Sequence, residues 1–443
     1  MTQNTEKTAR PTRRKILSLA ALFGSGLALS GGLGGCMNRR SADSTTTEEG
    51  AGTDNSLGEE GEEAIADSDT IPVGILHSLS GPMAISETAL VDAEELAIAE
   101  INDNGGVLGR QIVAVIRDGA SDPPTFTERA ENLIDQSQVA VIFGGWTSSS
   151  RQAIKSVVEA KDNLLWYPLS YEGQECSKNI FYMGATPNQQ IAQAVDWLLE
   201  NKGKSFFLIG SDPIFSKTVS ELIQAQLAAK QGKLVGEEYL LSEGTDVAPI
   251  IAKIKQALPE GGVIFSSLQG DRNVDFFRQL KQAGITADKY SVMSVGITEE
   301  EIRQIGPEYV EGHYATWSYF QTIDRPENKA WIASFKSQYG DDRVTSDPMQ
   351  VAYSMVHLWA QAVETAGTTD IEAVRQAAYG QAFEAPGGLM TIEPNHHTAK
   401  IIRVGMAQKD GLFEIVSETD AAIEPLAGYQ LNAGQKVLAR RYQ

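Results

Sequence analysis

Residues 139–151 read VAVIFGGWTSSSR, an apolar run that ends at two glycines and opens into residues with hydroxyl groups. A continuous apolar run such as 139–143 is typical of a strand covered on both faces, because a half-exposed strand alternates apolar and polar residues. A helical pattern begins at about residue 149. The order of strand, turn and helix predicts one unit of a parallel α/β sheet.

The same alternation continues on both sides of this stretch. Apolar runs in the first half, separated by helical patterns, occupy residues 72–76, 112–116 and 164–166. A second series of predicted strands lies at 206–210, 233–241, 262–265 and 291–294, with helical patterns near 214–230, 246–257 and 272–283. Two long helical patterns, 326–338 and 347–366, precede three strands without intervening helices, 388–392, 400–408 and 413–416. With 443 residues, the chain is long enough for two α/β sheets with separate cores.

The N-terminus has the pattern of an export signal. A positively charged segment that includes Arg13 and Arg14 precedes an apolar stretch over 16–29, which is short for a membrane span and rich in glycine. Leu33-Gly34-Gly35-Cys36 then resembles a bacterial lipobox, which predicts cleavage after residue 35 and lipidation of Cys36. The arginine pair fits a twin-arginine signal, although a Sec signal tolerates it as well.

Residues 36–69 predict a tether rather than a folded segment. They are rich in Ser, Thr, Gly, Asp and Glu and offer almost nothing to bury. We therefore expect a disordered, lipid-anchored acidic linker. If Cys36 is acylated, Cys176 is the remaining cysteine of two, so a structural disulfide is not expected.

Composition excludes several classes of function. The net charge of −21 argues against a nucleic-acid partner, which requires a basic surface. HExxH, CxxC, GxSxG and dinucleotide motifs are absent from the sequence, so no metal, cofactor or catalytic residue is predicted. The neighbouring His396 and His397 are interpreted as structural or exposed, and 299–301 (EEE) as a solvated face.

Ligands of open α/β sheets bind beyond the carboxyl ends of the strands. In the first sheet, the loops at that edge are 78–81, 118–122, 144–151 and 166–173, the last reading WYPLSYEG. In the second sheet they are 210–213 and 267–271. Because the first turn of a helix has unpaired backbone N–H groups, the loop that begins at Gly144 can donate to a ligand, or Thr147 or Ser148 can simply cap the helix. Glu172 is either an exposed loop carboxylate or a buried, paired one.

These residues resemble a known family. The stretches MAISETALVDAEELAIAEIN, GGVLGR, DGASDPPTF, FGGWTSSSR, WYPLSYEG, GATPNQQ, FLIGSD, SVGITEEE, GPEYVEGHYATW, DDRVTSDPM and NHHT follow one another from about residue 71 to 418. They are similar to the solute-binding lipoproteins of bacterial ABC transporters for urea and short-chain amides, within the branched-chain amino-acid binding superfamily.

The resemblance implies a type I periplasmic binding fold, in which two doubly wound α/β lobes are joined by three crossings. It implies a first lobe of 71–187 plus 321–384, a second lobe of 188–320 plus 385–430, and a tail at 431–443. The ligand-binding residues that it implies are Trp146, Thr147, Ser148, Tyr167, Leu169, Tyr171, Glu172, Ser80 and Asp212. Family members usually have Tyr where this chain has Pro213, so the second-lobe wall departs from the family pattern at this position.

The resemblance also implies a function and partners. We expect capture of urea or a short-chain amide and its delivery to ABC permease subunits, at the outer face of the membrane to which Cys36 is anchored. Serine, tyrosine and backbone N–H donors would bind the ligand carbonyl, and Glu172 and Asp212 would accept from its N–H groups. Alternatives left open are a binder of branched-chain amino acids, an amidohydrolase that uses Cys176 or a serine, and a cytoplasmic amide sensor.

Overall fold

The computed structural model describes residues 69–240 and 246–428. Several predictions lie outside the described residues: the signal peptide (1–35), the lipidation site Cys36, the linker up to residue 68 and the tail (431–443). In the part of the chain that is described, no helix combines the length and apolarity needed to cross a membrane.

The first sheet is fully parallel and has the strand order β2-β1-β3-β4-β5. Its strands are β1 (Thr70–His77), β2 (Gln111–Asp118), β3 (Ile142–Gly144), β4 (Leu165–Tyr167) and β5 (Ile180–Tyr182). Helices of the same part of the chain are α1 (Ala84–Asp103), α2 (Pro123–Asp135) and α3 (Ser148–Lys161). The strand order reverses direction between β1 and β3, and their carboxyl ends form the crevice where ligands of doubly wound sheets bind.

The second sheet is mixed and has the order β14-β13-β10-β9-β8-β6-β7. Its parallel strands are β6 (Ser205–Gly210), β7 (Lys233–Tyr239), β8 (Gly262–Ser267), β9 (Tyr290–Ser294) and β10 (Tyr314–Trp317). Its helices are α4 (Ile191–Asn201), α5 (Phe215–Ala229), α6 (Ala248–Ala257), α7 (Arg272–Gln282), α8 (Glu299–Ile305) and α9 (Pro307–Val310). Strands β13 (Arg403–Ala407) and β14 (Phe413–Glu418) complete the sheet in antiparallel pairing.

The chain returns to the first lobe between β10 and β13. Three helices, α10 (Pro326–Tyr339), α11 (Asp347–Ala366) and α12 (Ile371–Ala378), belong to the same apolar core as β1–β5. The hairpin of β11 (Ala382–Ala385) and β12 (Gly388–Thr391) contributes Ala385 and Met390 to that core. The boundary predicted between 384 and 385 stays a prediction, as do the other lobe limits.

Three crossings therefore connect the two α/β lobes, after β5, after β10 and after β12. Amide side chains of the first crossing bind the third crossing and the segment that follows β14. Gln189 donates to the carbonyl oxygens of Thr398 (3.0 Å) and Ile423 (2.7 Å), and Asn188 donates to that of Glu424 (2.8 Å). The predicted two-lobe fold with three crossings is confirmed.

The interpretation of 299–301 as a solvated face is wrong. Glu299 and Glu301 are fully buried and Glu300 is 6% exposed, at the start of α8. Thr298 and Glu301 form a capping box, in which each side chain receives a backbone N–H of the other end of the turn. The charge of these three residues indicated exposure to solvent. Helix capping and the contact of α8 with the first lobe bury their carboxylates instead.

Candidate ligand-binding cleft

The N-terminus of α3 is placed in the crevice by its glycines. A Cβ on Gly144 would lie 2.0 Å from the carbonyl oxygen of Leu76, so only glycine allows β3 to pass β1 this closely. Thr147 then caps the helix, and its hydroxyl accepts from the N–H of Ser150 at 3.0 Å. Thr147 therefore caps the helix, as the sequence allowed, and it also lines the cleft between the lobes.

A buried ion cluster lies beneath this helix start. Arg151 is fully buried, and its Nη2 donates to Oε1 of Glu172 at 2.6 Å while its Nε donates to Oε1 of Glu175 at 2.9 Å. Ser148 Oγ donates to the other oxygen of Glu172 at 2.5 Å and accepts from Arg151 Nη1 at 3.0 Å. Of the two interpretations of Glu172, an exposed loop carboxylate or a buried and paired one, the second is correct. Burial acts to raise the pKa of Glu175, but Arg151 outweighs it and the pKa of Glu175 is lowered.

Two predicted aromatic residues form the walls of this cluster. The Arg151 guanidinium lies 5.3 Å from the ring centre of Tyr167 and 4.8 Å from that of Tyr171. The Tyr167 hydroxyl donates to the carbonyl oxygen of Trp146, and the Tyr171 hydroxyl lies 2.7 Å from Nε2 of His397. Both hydroxyls therefore have partners within the protein. Burial raises the pKa of Tyr167, which keeps its hydroxyl neutral.

The histidine pair is structural. His397 stacks on Tyr182 with ring centres 4.8 Å apart, and its Nδ1 donates to the carbonyl oxygen of Asn395 at 2.6 Å. That bond leaves Nε2 to accept from Tyr171. Burial lowers the pKa of His397 to about 4, so the ring is neutral at pH 7. Among the described residues no group of His, Cys, Asp or Glu side chains could hold a metal ion.

The second lobe contributes Asp212, which is 5% exposed. Its Oδ1 accepts from the N–H groups of Ile214 (2.8 Å) and Phe215 (2.6 Å). Burial raises the pKa of Asp212 and the charge of Glu172 acts in the same direction, although the two N–H donors oppose them. Asp212 is thus within electrostatic reach of the Arg151 cluster in the other lobe.

The cleft itself is a cavity of about 180 Å³ between the lobes. First-lobe residues that line it are Pro82, Met83, Ser121, Pro123, Thr147 and Ser149. Second-lobe residues that line it are Ser211, Asp212, Pro213, Gln269 and Arg272. Of the predicted site residues, only Thr147 and Asp212 belong to this lining.

The other predicted site residues lie around or beneath the cavity. Trp146, Ser148, Tyr167, Leu169, Tyr171 and Glu172 are all buried, with exposures of 3% or less. Ser80 is exposed, and its Oγ donates to Oδ2 of Asp118 at 2.6 Å. The structure therefore brings the predicted residues of the first lobe together, but mostly as a packed support for the cleft. Their role in ligand contact stays a prediction.

Sequence reasoning missed Arg151, Gln269 and Arg272. The loop 267–271 was expected at the carboxyl edge of the second sheet, but no pattern distinguished Gln269 within it. Arg151 had one signal, its position three residues after Ser148, which puts both side chains on the same face of α3.

The two lobes are in contact across the mouth of the cleft. The N–H of Asp271 donates to the carbonyl oxygen of Pro82 at 3.0 Å. Arg343 of the first lobe forms ion pairs with Asp92 on α1 (2.8 Å) and with Glu300 on α8 (3.7 Å). The two lobes are therefore closed over the cleft.

Two α/β lobes with three crossings and a small polar cleft define the class of periplasmic solute-binding proteins with the type I fold. Residues 71–432 match the family model described as the periplasmic binding protein domain, and the chain belongs to this family. The chain is thus a periplasmic binding protein in family and in fold.

Individual proteins agree with the family. The chain is 28% identical over 328 residues to the leucine-, isoleucine-, valine-, threonine- and alanine-binding protein of Pseudomonas aeruginosa, covering 72% of this chain and 85% of that protein. A solute-binding protein of an ABC transporter from Rhodopseudomonas palustris, solved with 3,4-dihydroxybenzoic acid, has a TM-score of 0.73 at 21% identity and covers 81% of this chain and 99% of its own.

One match carries an enzyme name. A limonene hydroxylase of Geobacillus stearothermophilus is 38% identical over 124 residues, which is 28% of this chain. The chain spans only 23% of that protein's length. The Pseudomonas relative, which aligns over most of this chain, is named as a binding protein.

Proposed function

We propose that this protein captures urea or a short-chain amide in the cleft between its lobes and delivers it to an ABC permease. The observation that carries the proposal is the buried carboxylate of Asp212, which lines the cavity together with the first turn of α3. Carboxylates accept from N–H groups, and an amide-like solute offers several such groups on a small frame.

The size of the cleft supports a very small solute. Pockets for drug-sized ligands usually have volumes of about 300–1,000 Å³, whereas this cleft has about 180 Å³. Thr147 and Ser149, at the start of α3, line the cleft. The backbone N–H groups of this first helical turn can donate to the carbonyl oxygen of a ligand. Donors on one side and the Asp212 carboxylate on the other match the two ends of an amide.

A second candidate is an amino acid, and Arg272 favours it. Arg272 lines the cleft, and a guanidinium suits the bidentate binding of a ligand carboxylate. The Pseudomonas relative is named for binding branched-chain and other small amino acids. Urea lacks a carboxylate, so the two candidates differ in their need for Arg272.

Isothermal titration of the full chain with urea, acetamide, formamide and leucine distinguishes them. We expect binding of urea or one amide, and a loss of about tenfold or more in Asp212→Asn, because the carboxylate acceptor is replaced. Asp135→Asn, which removes an exposed carboxylate paired with Lys161, is the matched control and retains affinity. Binding of leucine alone, weakened by Arg272→Met, would favour the amino acid instead.

The same samples test an enzymatic role. A binding protein releases no ammonia from acetamide or formamide, whereas an amidohydrolase does so continuously. Cys176 is exposed and forms no disulfide within the described residues. Sustained ammonia release that is abolished in Cys176→Ala would replace the transport proposal with the hydrolase.

We also propose that Cys36 carries the lipid that anchors the mature protein to the outer face of the membrane. The support is the residue order Leu33-Gly34-Gly35-Cys36 after an apolar segment. Cells given a labelled fatty acid should incorporate it into the wild-type protein and not into Cys36→Ser. Incorporation in the Cys36→Ser variant, or membrane association without any label, contradicts the anchor.

A further inference from the structure

A second cavity lies away from the cleft, beside two of the three crossings between the lobes. It has a volume of about 290 Å³. Apolar residues form much of its wall, among them Leu389, Met390 and Ile401. Ser318, which directly follows β10, and residues 399–401, which precede β13, line it from the two crossings.

One buried cation lines this cavity. Lys400 is 4% exposed, and its side chain has no hydrogen-bond or ion-pair partner among the residues that the structure describes. Burial lowers the pKa of Lys400 to about 8, partly opposed by Asp347, so the amine is mostly protonated at pH 7. A buried ammonium without a partner is costly, because three N–H donors are left without acceptors.

Asp347 compensates part of this charge, but none of the neighbouring charged groups that the structure describes forms an ion pair with Lys400. Asp347 is close enough to act on Lys400, but its Oδ1 accepts from the backbone N–H and the hydroxyl of Ser318 instead. Glu393 lines the cavity without an ion pair to Lys400. Arg403 donates to the carbonyl oxygens of Ser318 and Gly387 and pairs with Glu418.

We propose that this second cavity, termed the hinge cavity because it lies beside two of the crossings, binds a small organic carboxylate. The carboxylate oxygens pair with Lys400, and the short apolar body of the ligand packs against Leu389, Met390 and Ile401. The anion supplies the acceptor that the buried ammonium lacks, and the apolar wall excludes a strongly hydrated inorganic anion. A ligand bound in this cavity contacts two of the segments that connect the lobes. The cavity is therefore a second ligand site, from which binding can act on the hinge between the lobes.

The probe is isovalerate, a branched monocarboxylate, and 3-methylbutan-1-ol is its neutral counterpart. Titration of the full chain should show binding of isovalerate and not of the alcohol. Lys400→Met should weaken isovalerate binding on the order of tenfold or more, since the ion pair is lost. Lys409→Met makes the same change at a side chain that is 84% exposed, and should leave binding unchanged.

A second variant tests the same site in case Lys400→Met does not fold. Ala422 lines the cavity and is exposed, so Ala422→Trp narrows the entrance without disturbing a core. It should also abolish isovalerate binding, while its thermal unfolding stays close to that of the wild type. The proposal is overturned if isovalerate does not bind the wild type, or if it binds both folded variants with wild-type affinity.

The cleft provides the last control. Asp212→Asn should leave isovalerate binding unchanged, because Asp212 lies outside the hinge cavity. Loss of isovalerate binding in Asp212→Asn with retention in Lys400→Met would place the carboxylate in the cleft and overturn the hinge site. The result does not depend on whether urea or an amino acid binds in the cleft.

Discussion

Arg151 connects the two carboxylates that support the candidate cleft. Its guanidinium is held by Glu172 and Glu175 and lies over the rings of Tyr167 and Tyr171. Such a planar fork can satisfy two carboxylates and stack on aromatic rings at the same time, which a lysine ammonium cannot do. The predicted residues Ser148, Tyr167, Tyr171 and Glu172 are therefore positioned by a residue that sequence reasoning did not select.

Replacement of Arg151 should be strongly destabilising. Arg151→Met leaves Glu172 and Glu175 without their cation in a buried site, and the expected loss is about 3–5 kcal/mol of unfolding free energy. Guanidinium chloride denaturation measures it. Arg129→Met removes a half-exposed arginine that pairs with Glu128, so it should cost much less. A loss in Arg151→Met no larger than in this control contradicts the role given to the cluster.

His77 should make stability depend on pH on the alkaline side. Burial acts to lower the pKa of His77, but Glu94 and Glu87 outweigh it and raise the pKa to about 9. A histidine whose pKa is raised in the folded state stabilises fully below its unfolded value near 6.5, and this contribution is lost as pH rises through about 9. The shift corresponds to about 3 kcal/mol at most.

The measurement compares unfolding free energies of the wild type and His77→Gln from pH 6 to pH 10. Their difference should shrink as the pH rises, since only the wild type loses an ionised histidine. Glu299 and Lys400, with pKa values of about 8, titrate in both proteins and cancel in the difference. A difference that is constant with pH would show that His77 is not charged in the folded protein.

At the scale of elements, the turn from β3 into α3 combines capping with a place at the cleft. Gly144 allows the close approach to β1, and Thr147 receives the N–H of Ser150. The stretch 139–151 predicted this strand, turn and helix, because an apolar run is followed in it by two glycines and then by residues with hydroxyl groups. The strand is Ile142–Gly144 instead of 139–143, although Ala140 donates to Pro72 of β1 (2.9 Å) and Val141 accepts from Gly74 of β1 (2.8 Å).

Loss of the Thr147 cap should cost about 1 kcal/mol of unfolding free energy. Thr147→Val keeps the shape of the side chain but cannot accept from the N–H of Ser150, whereas Thr147→Ser can. Thermal unfolding of both variants measures the difference. The control is Thr127→Val on α2, at an exposed hydroxyl that caps no helix end. Equal stability of the Val and Ser variants at 147 would contradict the capping role.

At the scale of the whole molecule, closure depends on contacts between the lobes that lie outside the cleft. Arg343 joins α1 of the first lobe to α8 of the second through Asp92 and Glu300. Arg303 of the second lobe pairs with Asp342 of the first at 3.1 Å. These ion pairs favour the closed arrangement, and a ligand in the cleft gains affinity when that arrangement is already favoured.

Arg343→Met should therefore weaken the cleft ligand without touching the cleft. Since partly exposed ion pairs contribute up to about 1 kcal/mol, the expected loss of affinity is about two- to fivefold. Small-angle scattering of the unliganded variant should show a larger radius of gyration. Arg129→Met is again the control. Unchanged affinity and radius would show that closure is independent of this ion pair.

The sequence by itself determined the layer order of the protein, because continuous apolar runs and helical periodicity are local properties. It predicted two α/β sheets, the late helices 326–338 and 347–366 almost to the residue, and the loops at the carboxyl edges of the strands. It did not predict the short strands β5 and β10 or the helix α4. Strands of three or four residues have too few positions to display a period, and pairing with neighbours defines them.

The tertiary structure alone decided which charged residues are buried. Glu299, Glu301, Arg151 and Lys400 look like surface residues in the sequence, yet each is at most 4% exposed. A buried charge is tolerated where other parts of the chain supply its partners, as Glu172 and Glu175 do for Arg151 from 21 and 24 residues further along the chain. For the same reason the closed cleft and the hinge cavity, both built from two lobes that the chain crosses three times, exist only in the folded protein.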